Sequence, residues 1–358
     1  MVWRVRRIDP KIEREAIVGG DPMLKILKWL VITVCAVAAL GLVVILASAY
    51  FAHDHDYQHT QSTEQLSMFD PAASSGHQSR LSTIAVGSMN FRARTAGFGQ
   101  TRGNVILLHG FPETSAMYNP MIPVLAEAGY QVVAFDQRGY SPQARPEEAD
   151  AYATEKLAQD VYGVADAVGF EDFHLVGHDW GAGVGWYMVL DDASRILSWS
   201  ALSIPHIGAY SQAIQQDPDQ QSRSAYIGFF QLPWVPEILF SFNSFAALRQ
   251  NVYSDHHDQI VEEYMMVLSE PGALTSALNW YRAPNVLADA DGMDVTVPTA
   301  FIWGNQDAVI GRKSLEVQRE FFTGNLWETE LDTGHWLMET HPTEVTTAVL
   351  ENLERSSG

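Results

Sequence analysis

Asp179 stands at the centre of Gly177-His178-Asp179-Trp180-Gly181, directly after the apolar run FHLV at 173–176. Small residues on both flanks of a central side chain permit the sharp strand-to-helix turn that exposes a nucleophile. Ser is the usual occupant of such a turn; here it is Asp. A carboxylate is ordinarily ionised at neutral pH and needs no base to activate it, so it can attack a saturated carbon and form an ester. Taken alone, the pentapeptide also fits an ordinary Asp at a strand end or helix N-cap. Three further segments argue against that plain reading. ILLHGFP at 106–112 is an apolar run followed by a turn; FIWGNQD at 301–307 ends in the carboxylate of Asp307; LDTGHW at 331–336 presents His335. Nucleophile, then acid, then histidine is one established chain order for a hydrolytic triad. Backbone N–H groups of Phe111 and Trp180 then become candidates for an oxyanion hole. His109, Gly110 and Pro112 read as the supporting loop, with a cis bond expected before Pro112. His174 reads as a core or edge residue.

These residues need a scaffold that brings strand ends together. From Leu81 onward, short β-branched runs alternate with helical stretches. Strands are expected at 85–94 (or a hairpin there), 105–108, 131–135, 173–176, 197–203, 300–303 and 327–331. Helices are expected at 117–128, 154–168 and 183–190. Such alternation points to a mostly parallel sheet with helices on both faces. Between His206 and Asp294 the alternation stops, and the segment reads as a helical cap inserted after a strand.

The N-terminus is different in kind. Residues 29–52 contain no charged side chain. About 24 helical residues span roughly 36 Å, more than a bilayer core of about 30 Å. Seven Lys/Arg and four Asp/Glu precede this run, and no Lys or Arg follows until Arg80. The expectation is a retained single-pass anchor, with residues 1–28 cytoplasmic and the remainder on the extracytoplasmic side. Ala47-Ser48-Ala49 keeps a cleaved signal peptide as the alternative. Residues 53–80 read as a polar linker. His53, His55 and His59 there, and His256-His257 in DHHD, read as solvated positions rather than metal ligands.

Composition sets further bounds. The 358 residues carry 43 Asp/Glu against 22 Lys/Arg, a formal net charge of −21. That field repels nucleic acid. Cys35 is the one cysteine, so neither an intrachain disulfide nor a thiolate metal site is available.

GHDWG, HGFP, FDQRGYSP at 135–142 and GHW together resemble epoxide hydrolases of the soluble α/β-hydrolase type, over about three quarters of the chain. The same motifs occur in haloalkane and fluoroacetate dehalogenases. The resemblance implies an α/β-hydrolase fold divided into core residues 81–205, cap 206–294 and core 295–358. It also implies that Tyr226 in YIGFFQ and Tyr281 in LNWYR are the cap tyrosines that bind an epoxide oxygen. The activity it implies is opening of an apolar epoxide to a vicinal diol through an Asp179 ester, hydrolysed by water that His335 activates and Asp307 orients. No metal and no organic cofactor is expected. Phe111 stands where haloalkane dehalogenases commonly carry Asn, and Trp180 and Gly183 replace the arginines of the fluoroacetate pattern. Haloalkane hydrolysis by the same triad is the alternative. A non-enzymatic, membrane-tethered binding protein on this scaffold is more remote. The sequence leaves the epoxide and the oligomeric state open.

Overall fold

The computed structural model describes residues 22–56, 66–254, 256–284 and 294–356. Two compact units divide at Ala52. The first unit's described part is residues 22–52 of helix α1 (Pro22–Asp56). Trp29, Val34, Val37 and Leu40 on it are each more than half exposed. Among the described residues, no helix is long and apolar enough to cross a membrane. The span expected at 29–52 therefore finds no support there, although its backbone is helical throughout. The leader at 1–21, His59 of the linker and the side chains of residues 48–58 lie outside the described residues.

The second unit is built on eight strands: β1 (Arg80–Val86), β2 (Met89–Ala96), β3 (Gly103–Leu108), β4 (Tyr130–Phe135), β5 (Phe173–His178), β6 (Ile196–Leu202), β7 (Thr299–Gly304) and β8 (Leu326–Leu331). They form one sheet in the order β1-β2-β4-β3-β5-β6-β7-β8. β1 and β2 pair antiparallel, β2 runs antiparallel to β4, and every remaining pair is parallel. β3 to β7 are buried almost end to end, the pattern expected of strands covered on both faces. The covering helices are α2 (Met121–Glu127), α3 (Thr154–Val168) and α4 (Trp180–Asp191), with α11 (Arg312–Gln318), α12 (Leu337–Thr340) and α13 (Pro342–Arg355) after the insertion. The helix expected at 117–128 is broken: a 3-10 turn at Ser115–Tyr118 precedes α2.

Among the described residues, six helices lie between β6 and β7 and form the cap: α5 (Ile207–Gln216), α6 (Pro218–Arg223), α7 (Ala225–Phe230), α8 (Val235–Asn251), α9 (Asp258–Leu268) and α10 (Ala273–Arg282). α8 is kinked, with left-handed backbone at Asn243, Ser244 and Phe245. The remainder of the expected cap, 285–293, lies outside the described residues.

The linker reading of 53–80 needs correcting at both ends. α1 runs on to Asp56, so the first HDHD residues are helical. From Leu66 the chain is part of the fold: Met68 bridges Thr83, Phe69 packs on Phe98 at 4.7 Å, and Ser74 is buried against Thr95 at 2.7 Å.

Candidate active site

All parallel strands end on the same edge of the sheet, which is where an open α/β sheet places its ligand crevice. Asp179 follows β5, Asp307 follows β7 and His335 follows β8. The shared edge brings them together although 156 positions separate the first from the last (335 − 179).

Asp179 has φ 49° and ψ −120°, a strained conformation for a side chain other than Gly. The turn is crowded on both sides. A Cβ on Gly177 would meet the Gly181 carbonyl oxygen at 2.5 Å, and one on Gly110 would collide with Asp179 itself. Those glycines are required by close approach. The Phe111 N–H donates to Asp179 Oδ1 at 2.8 Å. Trp180 begins α4, where first-turn N–H groups have no partner within the helix. The Phe111–Pro112 bond is cis, the isomer expected from the sequence.

His335 Nε2 lies 3.5 Å from Asp179 Oδ2. Its Nδ1 lies 2.8 Å from Asp307 Oδ2. The other Asp307 oxygen accepts the Val309 and Ile310 N–H groups at 2.6 and 2.9 Å, so the acid is held by backbone. The imidazole is buried, which alone would disfavour its cation. The Asp307 and Asp179 carboxylates outweigh burial and push its pKa up to about 10.

Tyr281, on α10, packs edge-on against Trp180 at 5.1 Å and Phe111 at 5.5 Å, the two residues that flank Asp179. Tyr226, on α7, lies 6.1 Å from Tyr281. Burial raises both phenols well above their ordinary range; neighbouring tyrosine and the Asp179 charge add to it. Both hydroxyls therefore keep their protons at neutral pH. Phe230 touches both tyrosines and Phe111, and Phe240 touches Phe230, so the space above Asp179 is walled by aromatic rings.

His109 supports the loop: Gln137 N–H donates to its Nε2 at 3.0 Å, and its Nδ1 faces the Gly110 carbonyl at 3.0 Å. His174 is buried against Ser198 Oγ at 2.7 Å, and burial lowers its pKa to about 4.

Sequence reasoning missed a second buried cluster. Glu113 Oε2 pairs with His178 Nδ1 at 2.9 Å, and His178 Nε2 reaches the His335 carbonyl at 3.0 Å. Ser203 Oγ donates to the same carbonyl at 2.9 Å. Burial alone would raise Glu113; the facing His178 outweighs it and holds Glu113 below the usual carboxylate range. Burial and the Glu113 charge together push Glu339 well above that range. His256 also lies here, buried in the turn before α9 rather than on a solvated helical face as its sequence suggested. The available signal was a Glu directly after HGFP and a His directly before the nucleophile.

The sequence matches the family described as the alpha/beta hydrolase fold over residues 103–342. The chain belongs to the α/β-hydrolase family. Within that family it is similar to epoxide hydrolase A of Mycobacterium tuberculosis (strain ATCC 25618 / H37Rv), with 34% identity over 292 residues covering 70% of this chain and 89% of the relative. It is equally similar to an AB hydrolase superfamily protein of Bacillus subtilis (strain 168), at 34% over 258 residues, covering 70% and 90%. Among solved structures, a Bacillus megaterium epoxide hydrolase in complex with an inhibitor superposes with a TM-score of 0.69 at 25% identity, covering 76% of this chain and 99% of that one. As in other α/β-hydrolases, the acid and histidine of this chain sit at neighbouring strand ends, and helices inserted between β6 and β7 roof the crevice.

Proposed function

We propose that this α/β-hydrolase opens apolar epoxides to vicinal diols, with Asp179 as the covalent nucleophile. The observation that carries the reading is the proximity of two kinds of group. A carboxylate backed by a His–Asp pair lies near two buried, protonated tyrosines, Tyr281 packed on Trp180 and Phe111 and Tyr226 packed on Tyr281. Relatives named epoxide hydrolases support it.

Asp179 Oδ1 is engaged by the Phe111 N–H, so Oδ2 attacks the ring carbon and the C–O bond breaks. The departing oxygen takes a proton from Tyr226 or Tyr281, and the second phenol donates a hydrogen bond to it. The resulting ester is neutral. His335 thereby loses one of the two carboxylates that hold its proton, and its pKa falls. The proton it sheds restores the tyrosine, and the neutral imidazole takes a proton from water. Hydroxide adds to the ester carbonyl, whose oxygen is already seated on the Phe111 N–H and faces the free N–H of Trp180. Collapse releases the diol and regenerates the Asp179 carboxylate and the His335 cation. One epoxide and one water are consumed per diol, and no metal or organic cofactor takes part in the scheme.

The experiment is intact-mass analysis of His335→Gln mixed with styrene oxide. A covalent increment equal to the epoxide mass is expected, because alkylation proceeds and hydrolysis stalls. No adduct, with turnover persisting, overturns the assignment. Release of bromide from a bromoalkane with no diol from any epoxide would move the reaction to dehalogenation.

The anchoring of the chain belongs to this proposal as well. Support comes from the uncharged run 29–52 and from apolar side chains exposed along α1. Retention of the full-length protein in carbonate-washed membranes is the expected result, and quantitative release argues against an anchor.

A further inference from the structure

The sequence DHHD at 255–258 contributes a histidine to the interior. The His256 side chain is fully buried in the turn between α8 and α9, and neither ring nitrogen has a hydrogen-bond partner. Its Nε2 lies 3.8 Å from Glu113 Oε1 and 4.0 Å from Glu339 Oε1. Both glutamates come from the core: Glu113 follows the HGFP turn, and Glu339 lies on α12, four residues after His335. Their outer edges are satisfied. Glu113 Oε2 faces His178, and Glu339 Oε1 accepts the Tyr264 hydroxyl at 3.1 Å. Glu339 Oε1 is also the oxygen that faces His256, while the two carboxyls are joined by a side-chain hydrogen bond, so the unpaired groups are the two His256 nitrogens. One ligand atom from each of the three residues falls within 4.8 Å of the other two. Each buried polar atom left unpaired costs about 1–3 kcal/mol, so a fully buried imidazole with neither nitrogen paired, set beside two carboxyls, calls for a partner.

We propose that Glu113, His256 and Glu339 form a divalent-cation site of zinc type, joining cap to core beside the catalytic histidine. Two carboxylate oxygens and one imidazole nitrogen suit zinc, whereas magnesium and calcium favour oxygen alone. Zinc bonds of about 2.0–2.1 Å in a tetrahedron put ligand atoms roughly 3.3 Å apart. The observed gaps close to that with side-chain shifts on the order of half an ångström, leaving the fourth position to water. Occupancy has two consequences. It ties the α8–α9 turn of the cap to two core segments. It also engages Glu113, which holds His178, which holds the carbonyl of His335. Bound zinc therefore stabilises the fold.

The test uses the full-length protein in detergent, stripped with a chelator and titrated calorimetrically with zinc chloride, with magnesium chloride as control. One tight zinc site with a raised unfolding temperature is expected, and no matching response to magnesium. His256→Gln and Glu339→Gln should each weaken that site at least 10-fold. Cobalt chloride supplies a second readout: the wild type should show visible ligand-field absorption that His256→Gln changes, which reports the imidazole even where a variant is less stable. Absence of a stoichiometric site in the wild type overturns the proposal and leaves a proton shared between the two carboxyls as the occupant. Unchanged zinc affinity and cobalt spectrum in both variants overturns it too, and assigns binding elsewhere, with His53, His55 and His59 the first place to look. None of these readouts depends on which substrate the Asp179 site accepts.

Discussion

The two halves of the active site are held by different means. The core half hangs on backbone. Asp179 is fixed by a strained turn and the Phe111 N–H, Asp307 by two N–H groups, and the His335 carbonyl by Ser203 and His178. The cap half hangs on side chains. Tyr226 and Tyr281 are placed by ring contacts, and α10 is tied to α8 by the Arg282–Glu237 pair at 2.7 Å. Backbone at strand ends cannot adjust without disturbing the sheet, whereas rings on short helices can repack. On the proposed mechanism, ester formation and hydrolysis fall to the rigid half, and recognition of the leaving oxygen to the adaptable one.

The comparison is broken most severely at Asp179. Asp179→Asn should lower turnover by at least about 10⁴-fold, as loss of a unit of this kind does elsewhere. Steady-state diol formation by freshly purified protein, before slow deamidation can restore Asp, measures it. Turnover within tenfold of wild type would remove the covalent role from the core half. Tyr226→Phe and Tyr281→Phe come next. Each removes one donor to a strongly basic leaving oxygen and should slow alkylation by about 10² to 10³. Stopped-flow tryptophan quenching isolates that step, and hydrolysis of the preformed ester should be little changed. Equal slowing of both steps would mean the two halves do not divide the work as drawn.

Glu237→Ala leaves the Arg282 guanidinium on the Phe230 and Leu232 carbonyls without its carboxylate and should cost about 3 kcal/mol in urea unfolding. It should also raise KM more than it lowers kcat, since it loosens the helix that carries Tyr281. A pure kcat effect would contradict that. Trp280→Phe deletes the indole N–H that donates to the Arg138 carbonyl at 2.9 Å between cap and core, a change worth about 1 kcal/mol of stability. A further effect concerns pH. His335 binds its proton more tightly folded than unfolded, so its contribution is complete below about pH 6.5 and is lost as pH rises through about 10. The stability of the wild type over His335→Gln should narrow steadily across that window in unfolding titrations. A gap that widens with pH would reverse the sign.

The contrast also explains what the sequence disclosed. Strand-end residues carry their position in local pattern: an apolar run, a glycine, a polar side chain. Asp179, Asp307 and His335 were legible for that reason, and so was α3, whose apolar spacing matches its observed bounds. The cap has no such punctuation, and its tyrosines were legible through resemblance alone. Glu113, His178 and Glu339 went unread, and His256 was misread as solvated, because each gains its burial from elements far apart in the chain. Residues 66–79 were misread as linker because their place in the fold rests on backbone hydrogen bonds and one aromatic contact, which a polar composition conceals.

One fastening of the cap bears on how substrate enters. On α6, Gln220 Nε2 donates to the Val309 carbonyl at 2.8 Å and its Oε1 accepts the Gly311 N–H at 2.8 Å, while Arg223 donates to the Asp307 carbonyl. This corner of the cap is bolted to the very loop that carries Asp307. A lid secured there behaves as a hinged door and not as a lifted one. Any opening wide enough to admit an epoxide must either drag Asp307 out of place or swing about α6, with the free edge travelling on the opposite side.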